Sequence, residues 1–118
     1  MDSLEKLKLA MRKFVAERDW EQFHSPKNLV MALSGEAGEL TECFQWLTEE
    51  QSQSPSDNQL AAIADEIADV QLYLVRLADK LNLDIAKECD RKIQHNAKNY
   101  PIDKSKGSAK KYTEYVDS

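Results

Sequence analysis

Glycine and proline are scarce, three of each in 118 residues, where ordinary usage would give about twice as many. A chain with so few breakers makes few tight turns. The glycines stand only at Gly35, Gly38 and Gly107, so neither the P-loop nor the dinucleotide-binding glycine pattern can be written with them. Cysteine is confined to Cys43 and Cys89, which fit no CxxC or Cys/His zinc spacing and read as two small thiols in a reducing cytosol. The only imidazoles, His24 and His95, sit in no motif that would activate a serine or cysteine nucleophile. No apolar run approaches the ~18 residues of a membrane span. The stretch Met1-Asp2-Ser3-Leu4-Glu5-Lys6 lacks the apolar core of a leader peptide, and the expectation is a cytoplasmic chain without a membrane partner.

What is present favours helix. Thirteen Leu and twelve Ala outnumber ten Val plus Ile, and the expected class is an all-α, four-helix bundle in one core domain. A first helix is predicted from Ser3 to Arg18, with Leu4, Leu7, Met11, Phe14 and Val15 on one stripe. Ser25-Pro26 supplies an N-cap and first-turn proline for a second helix that runs to Thr48 through Leu29, Val30, Leu33, Ala37, Leu40, Phe44 and Leu47. Residues 48–56 read as a polar loop. Asp57 is the expected cap of a third helix with its stripe at Leu60, Ile63, Ile67, Val70, Leu74, Leu77 and Leu81. A fourth helix runs from Asp84 to Asn99 and stops before Pro101. The expected division is a helical domain over residues 1–100 and a polar, lysine-rich, extended or loosely ordered tail over 101–118.

The net charge of −5 hides an uneven distribution. From Asn28 to Tyr73 there is no Lys, Arg or His, while Glu36, Glu39, Glu42, Glu49, Glu50, Asp57, Asp65, Glu66 and Asp69 all fall there. The remainder of the chain carries a net +4. One reading is a solvated acidic face that meets lysines from elsewhere in the fold. The sharper one is that the missing counter-charge is a metal cation.

Helices two and three echo each other when Glu36 is set over Glu66. Glu36-x-x-Glu39-Leu40 then matches Glu66-x-x-Asp69-Val70, and at about 100° per residue Glu36 falls some 20° from Leu29 and Leu47. Both acid pairs thus lie at the edge of an apolar stripe. Four carboxylates converging between two helices repel one another and lose solvation unless protons or cations compensate. Hard ions suit such a set, because Mg²⁺ takes oxygen ligands and commonly binds through carboxylates plus substrate phosphates. A di-iron bundle would need a repeated Glu-x-x-His, and only Glu21-x-x-His24 occurs. Bound Mg²⁺ would neutralise a polyphosphate and activate water for in-line attack. Lys92 and Asn96 lie on one face at i,i+4, close to the line of Tyr100, and offer donors to such a substrate. Among Trp20, Phe23, Trp46 and Tyr73 a stacking wall is available, although aromatics in a small bundle commonly serve as core. Trp46 projects about 80° from Glu36, away from the main stripe, where a ligand could meet it.

The run Gly35-Glu36-x-Gly38-Glu39-Leu40-x-Glu42, followed by Glu66-x-x-Asp69-Val70, resembles the MazG-like all-α nucleotide pyrophosphohydrolases. Arg18-Asp19-Trp20-x-Gln22-Phe23-His24-x-Pro26-x-Asn28-Leu29, Phe44-Gln45-Trp46, Tyr73-Leu74, Asn96 through Tyr100-Pro101, and Lys110-Lys111-Tyr112-Thr113 look like the dCTP pyrophosphatase branch. Together these cover almost the whole chain. The resemblance implies Mg²⁺-dependent hydrolysis of a deoxynucleoside triphosphate, dCTP or a relative, between the α and β phosphates. It also implies metal ligation and catalysis by Glu36, Glu39, Glu66 and Asp69. By the same carry-over Trp20, Trp46 and Tyr73 line the base and sugar pocket, Lys92 and Asn96 reach the phosphates or base, and His24 is structural or peripheral. Two protomers would complete each site in a homo-oligomer, a dimer or tetramer. Two departures stand out: many members carry two consecutive glutamates where this chain has Gly35-Glu36, and the dCTP branch carries a first-helix histidine where this chain has Met11. The alternatives are a related phosphohydrolase acting on dUTP or phosphoribosyl-ATP, and a non-enzymatic acidic helical adaptor. No nucleic-acid partner is expected from the acidic balance.

Overall fold

The computed structural model describes residues 2–116, and no strand occurs among them. Helix α1 spans Ser3–Glu17, α2 Pro26–Glu42, α3 Glu49–Ser52, α4 Asp57–Lys80, α5 Ile85–Asn99 and α6 Ile102–Ser105. Single 3-10 turns occupy Glu21–Phe23 and Tyr112–Glu114. The all-α expectation holds. Two compact units divide between Leu83 and Asp84, a boundary that falls before α5 and not at residue 100.

In the first unit α4 packs along both α2 and α1. Its core is Val15 from α1, Leu29 from α2, and Ile63, Val75 and Ala78 from α4. Each long helix begins with a side chain that satisfies an otherwise orphaned amide. Asp2 accepts from the Glu5 amide at 2.8 Å, and Ser25 accepts from Asn28 at 3.1 Å with Pro26 in the first turn. Helix α4 is capped by Ser56, not Asp57: Ser56 accepts from the Gln59 amide while Gln59 returns its side-chain oxygen to the Ser56 amide.

Two stretches depart from the expected elements. Helix α2 stops at Glu42, six residues short of the predicted end. Near its end the Thr41 hydroxyl bonds back to the Ala37 carbonyl at 3.0 Å, and Cys43 to Leu47 follow as tight turns. Thr48 then holds extended backbone as the cap of α3, where a reciprocal Thr48–Gln51 pair replaces the predicted loop with a helical turn. The scarcity of glycine also leaves a trace. Helices α1 and α4 both end in a left-handed residue that is not glycine, Asp19 (φ 53°) and Asn82 (φ 57°), residue types that tolerate this region. At the first, the reversal returns the Trp20 amide to the Val15 carbonyl at 3.0 Å and sets the Trp20 ring edge-on to Phe14 at 5.7 Å.

In the second unit, α5 starts after Asp84, which caps the Lys87 amide at 3.1 Å. Among the described residues after Pro101, α6 and the turn at Tyr112–Glu114 take the place of the extended or loose tail expected. Ser105 donates to the carbonyls of Pro101 and Tyr100 at 2.8 and 3.2 Å, and the rings of Tyr112 and Tyr115 stand edge-on to Tyr100 at 5.7 and 5.9 Å. These aromatic edges anchor a sequence whose polarity alone suggested solvent. No described helix is long and apolar enough to cross a membrane.

The predicted stripe of α4 is buried only in part. Ile63 is in the core, but Leu60, Ile67, Leu74 and Leu81 are exposed, and Val75, Arg76 and Ala78 are buried in their place. Helix α4 packs against two helices, α1 and α2, and its inner face toward the C-terminus accordingly shifts by one residue from Leu74 and Leu77 to Val75 and Ala78.

Candidate functional site

Glu36 and Glu39 on α2 meet Glu66 on α4, with one carboxylate oxygen from each within 4.8 Å of the others. This contact follows from the sequence spacing, since i and i+3 share a helix face and α2 lies against α4. Glu36 and Glu66 are half-buried, and one oxygen of each is shut off from water without a hydrogen-bond partner. Among the described residues no basic side chain pairs with any of the three. Burial, reinforced by Glu39 and Asp69, pushes the Glu36 carboxyl up to about 7. Burial and the same two acids raise Glu66 as well. Three carboxylates sharing so small a space are stable only with a proton or a cation among them. The all-oxygen donor set and its orphaned, inward oxygens fit a hard divalent ion such as Mg²⁺.

Asp69 lies one turn beyond Glu66. It is exposed and outside the tight trio, yet its charge raises both Glu36 and Glu66. Its side chain also lines a pocket of about 250 Å³ together with Met11, Phe14, Val15, Trp20, His24, Leu72 and Tyr73. Asp69 is therefore the hinge between an acid cluster and an aromatic slot. The slot is lined mainly by apolar and aromatic side chains, with Asp69 as its acidic member.

Of the remaining sequence candidates, Trp20 and Tyr73 line this pocket. Trp46 does not; it stands 86% exposed in the turns after α2. Lys92 and Asn96 lie on α5 of the second unit, both exposed and four residues apart on one face. His24, set aside as structural or peripheral, is a wall of the pocket. Met11 is another, which gives the departure at that position a place next to any bound ring.

The MazG-like family model matches residues 31–115. The chain belongs to the MazG-like family. Among its relatives are proteins named dCTP pyrophosphatase 1: the Bos taurus protein is 44% identical over 114 residues, 95% of this chain and 68% of the relative. The Homo sapiens protein is 43% identical, covering 95% of this chain and 67% of its own length. A solved structure, a pyrophosphatase from Archaeoglobus fulgidus, superposes with a TM-score of 0.80 at 32% identity, covering 86% of this chain and 94% of that one. The MazG-like fold is thus shared with a structure named for phosphoanhydride hydrolysis.

A third group was not legible as a site. Arg76, only 3% exposed, is the sole charged side chain in the core among the described residues. Its guanidinium contacts Glu21, Asp79 and the His24 ring. Arg12 holds Asp79 with two bonds of 2.6 and 2.7 Å, and Lys80 holds Glu21 at 2.6 Å. The Arg12 guanidinium keeps the Asp79 carboxyl below its usual range. Lys80, aided by Arg76, does the same for Glu21. Apart from Arg76 and Asp79, which are i,i+3 neighbours on α4, these partners are 52 to 67 residues apart in sequence, and no local spacing announces them.

Proposed function

We propose that this MazG-like chain is a nucleoside triphosphate pyrophosphohydrolase that converts a dNTP, dCTP or a close relative, to dNMP and pyrophosphate, and so clears the nucleotide pool. The observation that carries this reading is the junction at Asp69, where an unpaired carboxylate cluster adjoins an aromatic pocket. The relatives named dCTP pyrophosphatase 1 support dCTP as the first substrate to test.

Glu36, Glu39, Glu66 and Asp69 would hold Mg²⁺. When bound, the ion supplies neutralisation of phosphate charge and activation of water. The chain's own residues do the rest. Trp20 and Tyr73 take the base and sugar in the pocket, and Asp69 stands where the nucleoside ends and the phosphates begin. Glu36, whose carboxyl is raised to about 7 while the acids stand alone, would give up that proton when the ion binds, so that metal binding and deprotonation are linked. For Trp46, Lys92 and Asn96 the family resemblance alone supports a role toward the base and the phosphates. Leu60, Ile67 and Leu74, apolar and exposed on α4, support a homo-oligomer, dimer or tetramer, as the working form. The cytoplasm is the fitting compartment, and no nucleic acid or membrane partner is needed.

An acidic adaptor for a basic partner fits less well, because such a surface keeps its carboxylates in water while two of these oxygens are shut away from it. Met11, which lines the pocket where the dCTP branch carries a histidine, weakens the argument for cytosine and keeps a related nucleotide, dUTP or phosphoribosyl-ATP, as the alternative. The test is hydrolysis of all common NTPs and dNTPs with Mg²⁺, with pyrophosphate resolved from orthophosphate. Pyrophosphate with a dNMP is expected; orthophosphate as the first product overturns the reading.

A further inference from the structure

The wall of the pocket contains a second device, built from the Arg76 group. The Nε–H of Arg76 donates to Nδ1 of His24 at 3.2 Å. A guanidinium nitrogen never accepts, so Nδ1 must present its lone pair, and the neutral ring then carries its proton on Nε2. Arg76 cannot turn away from the imidazole, because its other nitrogens are held by Glu21 and Asp79. Those acids are held in turn by Lys80 and Arg12. The imidazolium is disfavoured as well, since a proton on Nδ1 would face the Arg76 N–H, and burial together with the Arg76 charge lowers the affinity of His24 for a second proton.

We propose that Arg76 is a positioning residue that fixes His24 in its Nε2–H tautomer, making His24 a directed hydrogen-bond donor in the pocket wall that reads an acceptor atom, a carbonyl oxygen or ring nitrogen, on the bound base. This rests on the nucleotide reading above and deepens it. The surroundings favour such a reader. Most of the wall is apolar or aromatic, from Met11, Phe14, Val15 and Leu72, and supplies contact area without direction. Asp69, the one acid of the wall, is given over to the ion and offers the ring no donor. A fixed donor adds the opposite polarity, so that orientation of the ring becomes part of binding. The design also explains why a fully ionised arginine is kept in the core of a small unit. A leucine there would pack, but it would leave the imidazole free to exchange tautomers and to present an acceptor to the pocket in its minor form.

Two measurements on the full chain test this. Long-range proton–nitrogen NMR of the imidazole rings at neutral pH, with His24 distinguished from His95 by a His95→Gln variant, should show His24 protonated on Nε2 and bare on Nδ1. A proton on Nδ1, or on both nitrogens, overturns the lock. In steady-state hydrolysis of dCTP, His24→Phe keeps ring size but loses the donor. It should raise KM roughly tenfold, the worth of one directed hydrogen bond, with a much smaller change in kcat, whereas His24→Gln, which retains an N–H, recovers part of the loss. Arg76→Lys keeps the charge for Glu21 and Asp79 but removes the fork, and should give mixed His24 tautomers and a similar rise in KM. Should Arg76→Lys fail to fold, the His24 pair still decides. Unchanged KM in His24→Phe refutes base reading while leaving pyrophosphohydrolysis intact. If the parent hydrolyses no nucleotide and calorimetry detects no binding of dCMP, the functional reading fails and base reading with it, and the tautomer spectrum then judges the lock alone.

Discussion

Helix α4 carries two charged regions, centred about ten residues or roughly 15 Å apart, that treat charge in opposite ways. Around Glu66 and Asp69 the carboxylates face Glu36 and Glu39 with no base to meet them, and two of their oxygens have no partner. Around Arg76 and Asp79 the charges are cross-paired: Arg12 with Asp79, Lys80 with Glu21, and Arg76 with both acids and His24. Both regions pay desolvation, and only the second answers it from within the chain. The difference separates a region that is finished by folding from one that is finished by a ligand.

Removing an acid from the unfinished region should have the largest effect on activity. Glu36→Gln and Asp69→Asn should each lower kcat/KM for dCTP by about 100-fold or more, since even groups that merely orient metal ligands cost 10 to 100-fold, while circular dichroism stays that of the parent. If either variant retains parental activity, the ligand assignment fails for that residue. Breaking the finished region should act on stability: Arg76→Met strands Asp79 and Glu21 with one partner each and should cost about 3 kcal/mol, lowering Tm by roughly 10 °C in a thermal melt.

Adding Mg²⁺ closes the contrast from the other side. At ten times its Kd the ion should stabilise the parent by about 1.4 kcal/mol, or roughly 5 °C, and should leave Glu36→Gln almost unmoved. Without metal, pH does the same work more weakly. The folded-state carboxyl of Glu36 lies at about 7, above its ordinary value. Between the unfolded value and about 7 the native chain therefore binds more protons than the unfolded one, and stability falls as pH rises through that window. The Tm difference between Glu36→Gln and the metal-free parent should widen by a few degrees from pH 5 to 7.5, a comparison in which the contributions of His24, Glu21 and Asp79 cancel. The smallest effect is expected at a pair belonging to neither region. Glu5 and Lys8 form a surface ion pair on α1 at 2.9 Å, and Glu5→Gln should change stability by less than about 0.5 kcal/mol.

The two regions also differ in how far they could be read in advance. Glu36, Glu39 and Glu66 were legible because helical spacing is local and an acid at the edge of an apolar stripe is conspicuous. The Arg76 group was not, since it joins α1, the turn before α2 and the end of α4 through contacts that no periodicity encodes. The turns at Cys43–Leu47 escaped for a related reason: Phe44 and Leu47 keep the helical period after the backbone has left it. The start of α3 was readable in principle, as Thr48-Glu49-Glu50-Gln51 is a capping pattern that its polarity masked. Burial along α4 was misjudged at Leu60, Ile67, Leu74 and Leu81, because a stripe specifies a face and not what covers it.

Trp46 stands almost fully in water while Trp20 forms part of a pocket wall, and these are the only two indoles in the chain. The protein thus carries its own optical gauge. With Trp20 replaced by Phe, all indole emission comes from Trp46 and starts at the red, water-exposed end of its range. An ion filling the acid cluster alone leaves that colour where it is. A nucleotide folded under the indole, or a second copy laid across it, moves the emission toward the blue, and only the latter shift depends on protein concentration.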